Sequence, residues 1–530
     1  MRITNGMMIN NTLSHINLNK LNVDKYSTQQ STEKKIQKPS DDPIIAVRAL
    51  RFRSQLSELN QYLEKNIPDA KSWLELTEEA LDSVRGSLSD MQTYLTQAAN
   101  DINELENRQA IIKTLNQYKE QIYKDANSDF GGRRIFSGYK TDTDMTFSST
   151  DKTVKYHLTE EFTSGDFDTI SKVFDGVDVS KLETYVPGTP GTGEKPMPDD
   201  KTNIHRIRLA YDDLMTEDTI DGKTITPTVS VVAENGTETP IAQLTPNAYN
   251  LRIVYAAGDG TYKYKNDAGA ETVVNPYAPE DDDVYFLADS GELIFGDKAY
   301  VGLKEQKLSV SYAKTGFEKG DLRPEHYFNC TRYTTDDNNM YGEDIVFESN
   351  QQDINYTVNF NQTLKVNSEG KNLFDHDVIR DLEDMIIAVE DLNLIEEKIT
   401  KIKKMQEDDV YSGKEDQKKL ASMLEAAEKE RDLQDDIVQK LFEKSITLYE
   451  KHQKTIDDEV ADIGSRYKRL QLNESRLGSQ QTSLEELKSS NEDADLPETI
   501  IQLSAASMVY EASLSAASKI VTKSLLDYLG

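Results

Sequence analysis

From Leu496 onward, apolar or small residues recur at alternating steps of four and three: Leu496, Ile500, Leu503, Ser507, Tyr510, Leu514, Ala517 and Val521. An α-helix turns once in 3.6 residues, so this spacing draws one narrow stripe along one face. The first thirty residues carry a thinner stripe at Ile9, Leu13, Ile16 and Val23. A narrow seam at each end, with no core of its own, predicts helices that pair with each other and with neighbouring subunits. The seam residues expected to carry that assembly are Leu13, Ile16, Leu503, Tyr510, Leu514, Val521 and Leu525. This pattern points to a self-assembling structural protein.

Helical spacing covers most of both flanks. Residues 1–38 read as one polar helix that Pro39 stops. In Lys38-Pro39-Ser40-Asp41-Asp42-Pro43, the Ser and Asp side chains offer acceptors to free amide N–H groups. Pro43 suits the first turn of a new helix, where its missing N–H costs nothing. Pro39, Ser40, Asp41, Asp42 and Pro43 are therefore read as a hinge. A helix then runs from Ile44 to Leu63, is broken or kinked by Pro68, and resumes through Trp73, a core anchor, to Leu95. Another, with Ile111, Ile112, Leu115 and Ile122, is expected to end near Phe130, closed by Gly131-Gly132.

On the far flank, Leu382, Met385, Ile386, Val389 and Leu392 mark a helix, and Tyr411-Ser412-Gly413 a turn. A very long helix follows, with Ile456, Val460, Ile463, Tyr467, Leu470, Leu477 and Leu484 on its stripe. Glu474 and Gln481 interrupt that stripe and are expected to weaken it. Residues 489–495 read as a second hinge, and Asp495 with Glu498 as the start of the last helix.

Between the flanks the period changes from helical to alternating. Leu251, Ile253 and Tyr255, then Gly258-Asp259-Gly260, then Tyr262 and Tyr264, make a hairpin signature. Asn235-Gly236 and Asp221-Gly222 mark further tight turns, and Leu308, Val310 and Tyr312 another strand. Residues 187–200, rich in Pro, Gly and Asp, read as an exposed loop. The expected fold class is α+β, with paired terminal helices, a helical bundle and a mostly-β insertion. Its expected domains are 1–42 with 492–530 (inner terminal pair), 43–160 with 330–491 (bundle), and 161–329 (β-rich outer region). The stretch 393–445 is an extra helical segment within the bundle.

Composition narrows the functional classes. The net charge of −33 argues against nucleic acid, which is bound by Lys and Arg neutralising phosphates, and against anionic membranes. No run of about 18 apolar residues predicts a membrane helix. The N-terminus does not read as a cleaved secretory signal. The single cysteine, Cys330, excludes an internal disulfide and is expected to be a buried free thiol.

Catalytic and metal motifs are not evident. The six histidines (His15, His157, His205, His326, His376 and His452) show no ligand spacing and are expected at the surface or in local hydrogen bonds. Glu280-Asp281-Asp282-Asp283 reads as a solvated acidic turn, since it lacks the spaced oxygens and glycine of a calcium loop. Arg133-Arg134 is expected to pair with acidic helices. No Gly-x-Ser-x-Gly elbow, catalytic triad or phosphate loop is present. No enzyme activity and no cofactor are expected.

Four segments together carry a family resemblance. They are Met1-Arg2-Ile3-Thr4-Asn5, Lys38-Pro39-Ser40-Asp41-Asp42-Pro43, Arg134-Ile135-Phe136-Ser137-Gly138-Tyr139 and Ser524-Leu525-Leu526-Asp527-Tyr528-Leu529. In this order, bracketing about residues 1–140 and 440–530, they resemble the flagellin-like axial proteins of the bacterial flagellum. The hinge prolines and the Leu-Leu-Asp-Tyr-Leu ending look more like the hook–filament junction branch than like flagellin, whose hinge is usually of an Asp-Asp-Ala type. The resemblance implies export by the flagellar type III apparatus and monomers with largely disordered ends before assembly. It implies self-association into a ring, with hook-associated protein 1 on the hook side and flagellin on the filament side. An export chaperone would hold the C-terminal helix. Ala505, Ala506, Ala512, Ala516 and Ala517 would let helices approach closely in an inner tube. A minor flagellin, or an adhesin carried in 161–329, are the alternative readings.

Overall fold

In the helix α3 (Ile67–Ala98), Trp73, Ala80 and Ser87 are buried beside a longer row of buried residues: Ile67, Ala70, Leu74, Thr77, Leu81, Val84, Leu88, Met91, Leu95 and Ala98. Their spacing alternates strictly between three and four, so a single seam runs the length of the helix. The other long helices are α1 (Asn5–Thr32), α2 (Pro43–Gln61), α4 (Leu105–Asp125), α5 (Asp377–Glu407), α6 (Lys414–Glu492) and α7 (Leu496–Val521). The computed structural model describes residues 5–99, 105–174, 201–220, 223–245, 247–258, 261–266, 269–334 and 345–521. The α+β organisation expected from the sequence is present, with helical ends and a β-rich middle. No described helix is long and apolar enough to cross a membrane.

The chain gathers into two compact units. One comprises residues 1–72, 355–364 and 466–530, the other 73–354 and 365–465. Residues 43–72 and 466–491 thus lie in one unit with the terminal helices.

Within the first unit, Pro68 does not break the helix. The preceding residues Tyr62–Asn66 form a π-turn, in which the Ile67 N–H donates to the Tyr62 carbonyl five residues back. The wider turn relieves the crowding that the proline ring would impose on the carbonyl four residues earlier. It also absorbs one extra residue: Tyr62 and Ile67 are five apart, yet both are buried. A hairpin, Asn355–Asn359 with Gln362–Lys365, packs there. Phe360 meets Tyr62 edge-on at 5.5 Å, and Tyr356 donates to Asp69 at 2.7 Å. Strands therefore interrupt the expected bundle stretch 330–491.

The α6 stripe holds Phe442, Tyr449, Ile456, Ile463, Leu470 and Leu477, all buried and seven apart. Glu474 and Gln481, expected to interrupt and weaken the stripe, each have a polar partner. Lys71 bonds Glu474, and Gln481 donates to Asn60 at 2.9 Å, so each polar position finds a partner on the facing helix. Such pairs fix register at some cost in stability.

In the second unit, α5 and α6 form a hairpin closed by residues 408–413. Its outer part has a core of its own around Ile395, Ile399, Ile402, Leu420 and Met423. The extra segment 393–445 is thus the tip of a helical hairpin. Helix α4 ends at Asp125, and Gly131-Gly132 instead turn a small hairpin between Asp129–Phe130 and Arg133–Arg134. Both glycines have positive φ (59° and 82°), which that tight turn requires.

The β-rich part is two sheets around one core. Six strands run, edge to edge, Ile345–Phe347, Asn329–Thr334, Asp151–Phe162, Lys307–Phe317, Thr228–Val232 and Glu238–Pro240, all antiparallel. Seven run Glu271–Val274, Tyr262–Lys265, Asn250–Ala256, Asp283–Leu287, Glu292–Phe295, Thr202–Arg208 and Asp168–Lys172. In this sheet only 250–256 and 283–287 pair in parallel. Tyr156, Leu158, Phe286, Leu293, Leu308, Val310 and Tyr312 fill the space between the sheets. The chain enters and leaves through a neck, where Phe147 N–H donates to Asp321 (2.8 Å) and Arg323 N–H to Met145 (2.9 Å). The expected turn at Gly236 is present, and so are the strands flanking Gly258. Asp221-Gly222, Asp259-Gly260 and 187–200 lie outside the described residues.

Candidate assembly surface at the paired ends

Helices α1 and α7 pack against each other over their length. On α1 the half-buried positions include Ile9, Thr12, Ile16, Asn19, Val23 and Tyr26, in alternating steps of three and four. On α7 they include Leu503, Ala506, Tyr510, Ser513 and Ala517, with Thr499 buried. Asn19 donates to Ser513 at 2.6 Å across the pair. The inner surface thus mixes apolar residues with small and polar ones, and because they are only half-buried it covers little apolar area.

Further apolar residues face outward. Leu13, Leu18 and Leu21 on α1 are exposed, as are Ile500, Ile501, Met508, Val509 and Leu514 on α7; Ile501 is 68% exposed and Met508 66%. The seam read from the sequence therefore splits. Ile16, Leu503 and Tyr510 lie inside the pair, whereas Leu13 and Leu514 lie on its outer face. Of the small residues, Ala506 and Ala517 are inside, and Ala505, Ala512 and Ala516 outside. The Val521 side chain, Leu525 and the Met1–Thr4 and Ser524–Leu529 segments lie outside the described residues.

The two helices are tied where they meet the rest of the unit. Helix α1 stops at Thr32, six residues earlier than Pro39 suggested, because Glu33 takes a left-handed conformation (φ 58°). Residues 33–35 then pair with the end of α6. Lys35 N–H donates to the Glu492 carbonyl (2.8 Å) and Ala494 N–H to that of Glu33 (2.9 Å). Lys34 pairs with Asp493. Residues 489–492, expected in a loop, are the last turn of α6, and the break is only Asp493–Asp495. Asp495 accepts from Glu498 N–H at 3.2 Å, as expected of a cap.

The segment Pro39–Pro43 is held by its own carboxylates. Asp41 accepts from Lys38 and Gln37 N–H (2.9 and 3.0 Å), and these donors hold its carboxyl below the usual range. Asp42 caps α2, accepting from Ile44 and Ile45 N–H with Pro43 in the first turn. Arg53 grips the buried Glu492 carboxylate with two donors (3.0 and 2.5 Å), which raises the Arg53 pKa.

The Arg133–Tyr139 stretch of the second unit is equally well seated. Arg133 lies over the rings of buried Trp73 and Phe130 (5.0 and 5.4 Å). Arg134 pairs with Asp144 at 2.6 Å, outside any helix. Phe136 meets Phe374 edge-on at 5.0 Å, and Tyr139 N–H donates to Gln352 at 2.8 Å. Gly138, at φ 63°, has the Gln352 side chain where a Cβ would stand.

The remaining candidate chemistry has local partners. Asp281 and Asp282 pair with Lys298, and the buried Cys330 thiol is pushed up to about 12 by burial. His205 stacks on Tyr300 at 3.6 Å, and His326 bonds the Asp144 carbonyl at 3.0 Å. His376 is buried, against expectation, and its pKa falls to about 3 because burial disfavours the cation. Among the described residues, no group of three His, Cys, Asp or Glu is placed to hold a metal ion.

The two ends are similar to the helical ends of bacterial flagellins. Residues 3–141 match the bacterial flagellin N-terminal helical region, and residues 446–529 match the C-terminal helical region. More particularly, the chain is 31% identical over 145 residues to flagellar hook-associated protein 3 of Escherichia coli (strain K12). It is 30% identical over 141 residues to a flagellin of Clostridium tyrobutyricum. These matches cover 27% and 26% of this chain and 45% and 37% of those proteins, less than half of either. The solved flagellar hook-associated protein 3 of Legionella pneumophila aligns over 83% of this chain and 97% of its own, at 13% identity and a TM-score of 0.28.

Proposed function

We propose that this chain is a structural subunit of the bacterial flagellum that joins hook to filament and assembles through its terminal helices. The observation that carries this reading is the pair of ends, whose inner face is only half-buried and whose outer face still exposes Leu13, Leu18, Leu21, Ile500, Ile501, Met508, Val509 and Leu514. In a chain of net charge −33, such an outward face asks for cover by like helices of other copies. The matched flagellin regions contain both helices, and the relatives named hook-associated protein 3 favour the junction over the filament.

On this reading the subunits close into a ring, with hook-associated protein 1 on the hook side and flagellin on the filament side. They leave the cell through the flagellar type III apparatus, with a chaperone on the C-terminal helix. The clasp of residues 33–35 with 492–494 and the capped Pro39–Pro43 segment set where the terminal pair starts.

The test is electron microscopy of cells lacking the protein, with flagellin assayed in the medium. Hooks without filaments, and flagellin lost to the medium, are expected. Normal filaments would overturn the junction role, and long filaments grown from the purified protein alone would make it a flagellin. Leu514→Asp should abolish incorporation while leaving the second unit folded by circular dichroism; normal incorporation of this variant would remove the outer face from the mechanism.

A further inference from the structure

We propose that Lys155 and Asp218 become joined by an amide bond between the lysine Nζ and the aspartate Cγ. Both residues lie in the second unit. Lys155 stands on the outer face of the six-stranded sheet, because its neighbours Val154 and Tyr156 point into the core between the sheets. Asp218 opens a two-stranded hairpin, Asp218–Ile220 with Lys223–Ile225. The chain leading to it is fixed to the same sheet, where Met215 N–H donates to the Ala313 carbonyl at 2.9 Å.

The Lys155 Nζ donates to Asp218 Oδ1 at 2.7 Å, with the lysine side chain 3% exposed and the aspartate 5%. Taking both ions out of water is costly, and condensation to a neutral amide removes that cost. Burial also brings the uncharged amine and acid closer in energy to the ions, and these are the forms that react. Tyr333, directly across from Lys155 in the neighbouring strand, holds its ring 5.3 Å from Nζ. The space bordered by Asp218, His157, Met215, Ile225 and Pro227 leaves no room for a water molecule. An amine held against a carboxyl in a dry site replaces a chance encounter by a fixed one, which raises its effective concentration by orders of magnitude.

The step balances without a co-reactant. The ammonium gives one proton to His157, which borders the same space and whose pKa burial lowers, so that its ring is neutral at pH 7. The Nζ lone pair attacks Cγ, and one Cγ–Oδ bond breaks. The departing oxygen leaves as water, with that proton and a second one from the nitrogen. One ammonium and one carboxylate become one amide and one water, and nothing is oxidised or reduced. The product closes the chain between residues 155 and 218, and such a cross-link limits the unfolded chain much as a disulfide does. With Cys330 as its one cysteine, the chain has no internal disulfide to serve that purpose.

The test is intact mass spectrometry of the full chain, followed by tryptic mapping. Wild type is expected to be lighter than its sequence by one water, with the peptides holding Lys155 and Asp218 recovered as one branched peptide. Lys155→Met and Asp218→Ala should keep their full sequence masses. His157→Gln, followed by mass from synthesis onward, should form the bond at least about tenfold more slowly. A wild-type mass equal to that of the sequence, or a water lost equally in Lys155→Met, would overturn the proposal. Equal rates in His157→Gln and wild type would overturn the proton route. The wild-type mass and the branched peptide decide the matter even where a variant does not fold. The junction role does not depend on it.

Discussion

His376 shows how one buried side chain can set the acid limit of the second unit. Its ring sits between Tyr211 and Tyr327 (4.9 and 4.8 Å), its Nε2 has no hydrogen-bond partner, and Arg380 adds to the cost of charging it. With a folded pKa near 3 and an unfolded value of about 6.5, the native state binds fewer protons than the unfolded chain between those limits. Stability is therefore lost as pH falls below about 6.5, at up to roughly 1.4 kcal/mol per pH unit. His326, lowered to about 4 by burial, acts in the same direction, whereas His452, raised by Asp381 and Asp375, acts in the opposite one. The His376→Phe variant should keep its melting temperature at pH 7 and lose less of it at pH 4.5 than wild type. Calorimetry at the two pH values checks this, and an unchanged pH slope would exclude His376 as the source. Nothing in the sequence around residue 376 marks this burial, because the enclosing rings come from residues 211 and 327, far away in the chain.

Helical periods were the most legible signal, and the places where they misled share a cause. The α3 and α6 seams are long, regular and buried as their spacing requires, so sequence and packing agree. The α1 end, the π-turn and the 129–134 hairpin depend on single backbone conformations or on partners hundreds of residues away, which no local period encodes. At the ends, the stripe was visible, but not how it divides between inner and outer faces, since that depends on which flank of the stripe the partner helix covers. The π-turn permits a direct check. Deleting Glu64 should restore an unbroken three-four spacing from Leu59 onward, but it returns the Pro68 ring to the α-helical clash, worth about 3 kcal/mol. The deletion alone should lower the melting temperature of the first unit, and adding Pro68→Ala should recover most of the loss. Equal melting temperatures for the deletion with and without Pro68→Ala would show that the turn does not exist to seat the proline.

Across the whole chain, the unevenness of burial predicts an unevenness of stability. Among the described residues of α1 and α7 only Thr499 is buried, while α3 and the sandwich carry dense apolar cores. Opening free energy follows such burial. In the free protein, amide hydrogens of α1 and α7 should exchange within seconds to minutes and those of α3 and strand 283–287 far more slowly. Hydrogen exchange with mass spectrometry reads this directly, and equal protection of all four would contradict it.

The same pair joins residues 5–32 to residues 496–521 and so spans nearly the full chain. Translation at about 5–20 residues per second puts roughly half a minute to a minute and a half between the emergence of one helix and its mate. Whatever happens to the nascent chain in that interval happens to an α1 still without its mate. The Asn, Thr and Ser residues scattered along α1 fit a segment that must stay in water, alone, until its partner helix is made.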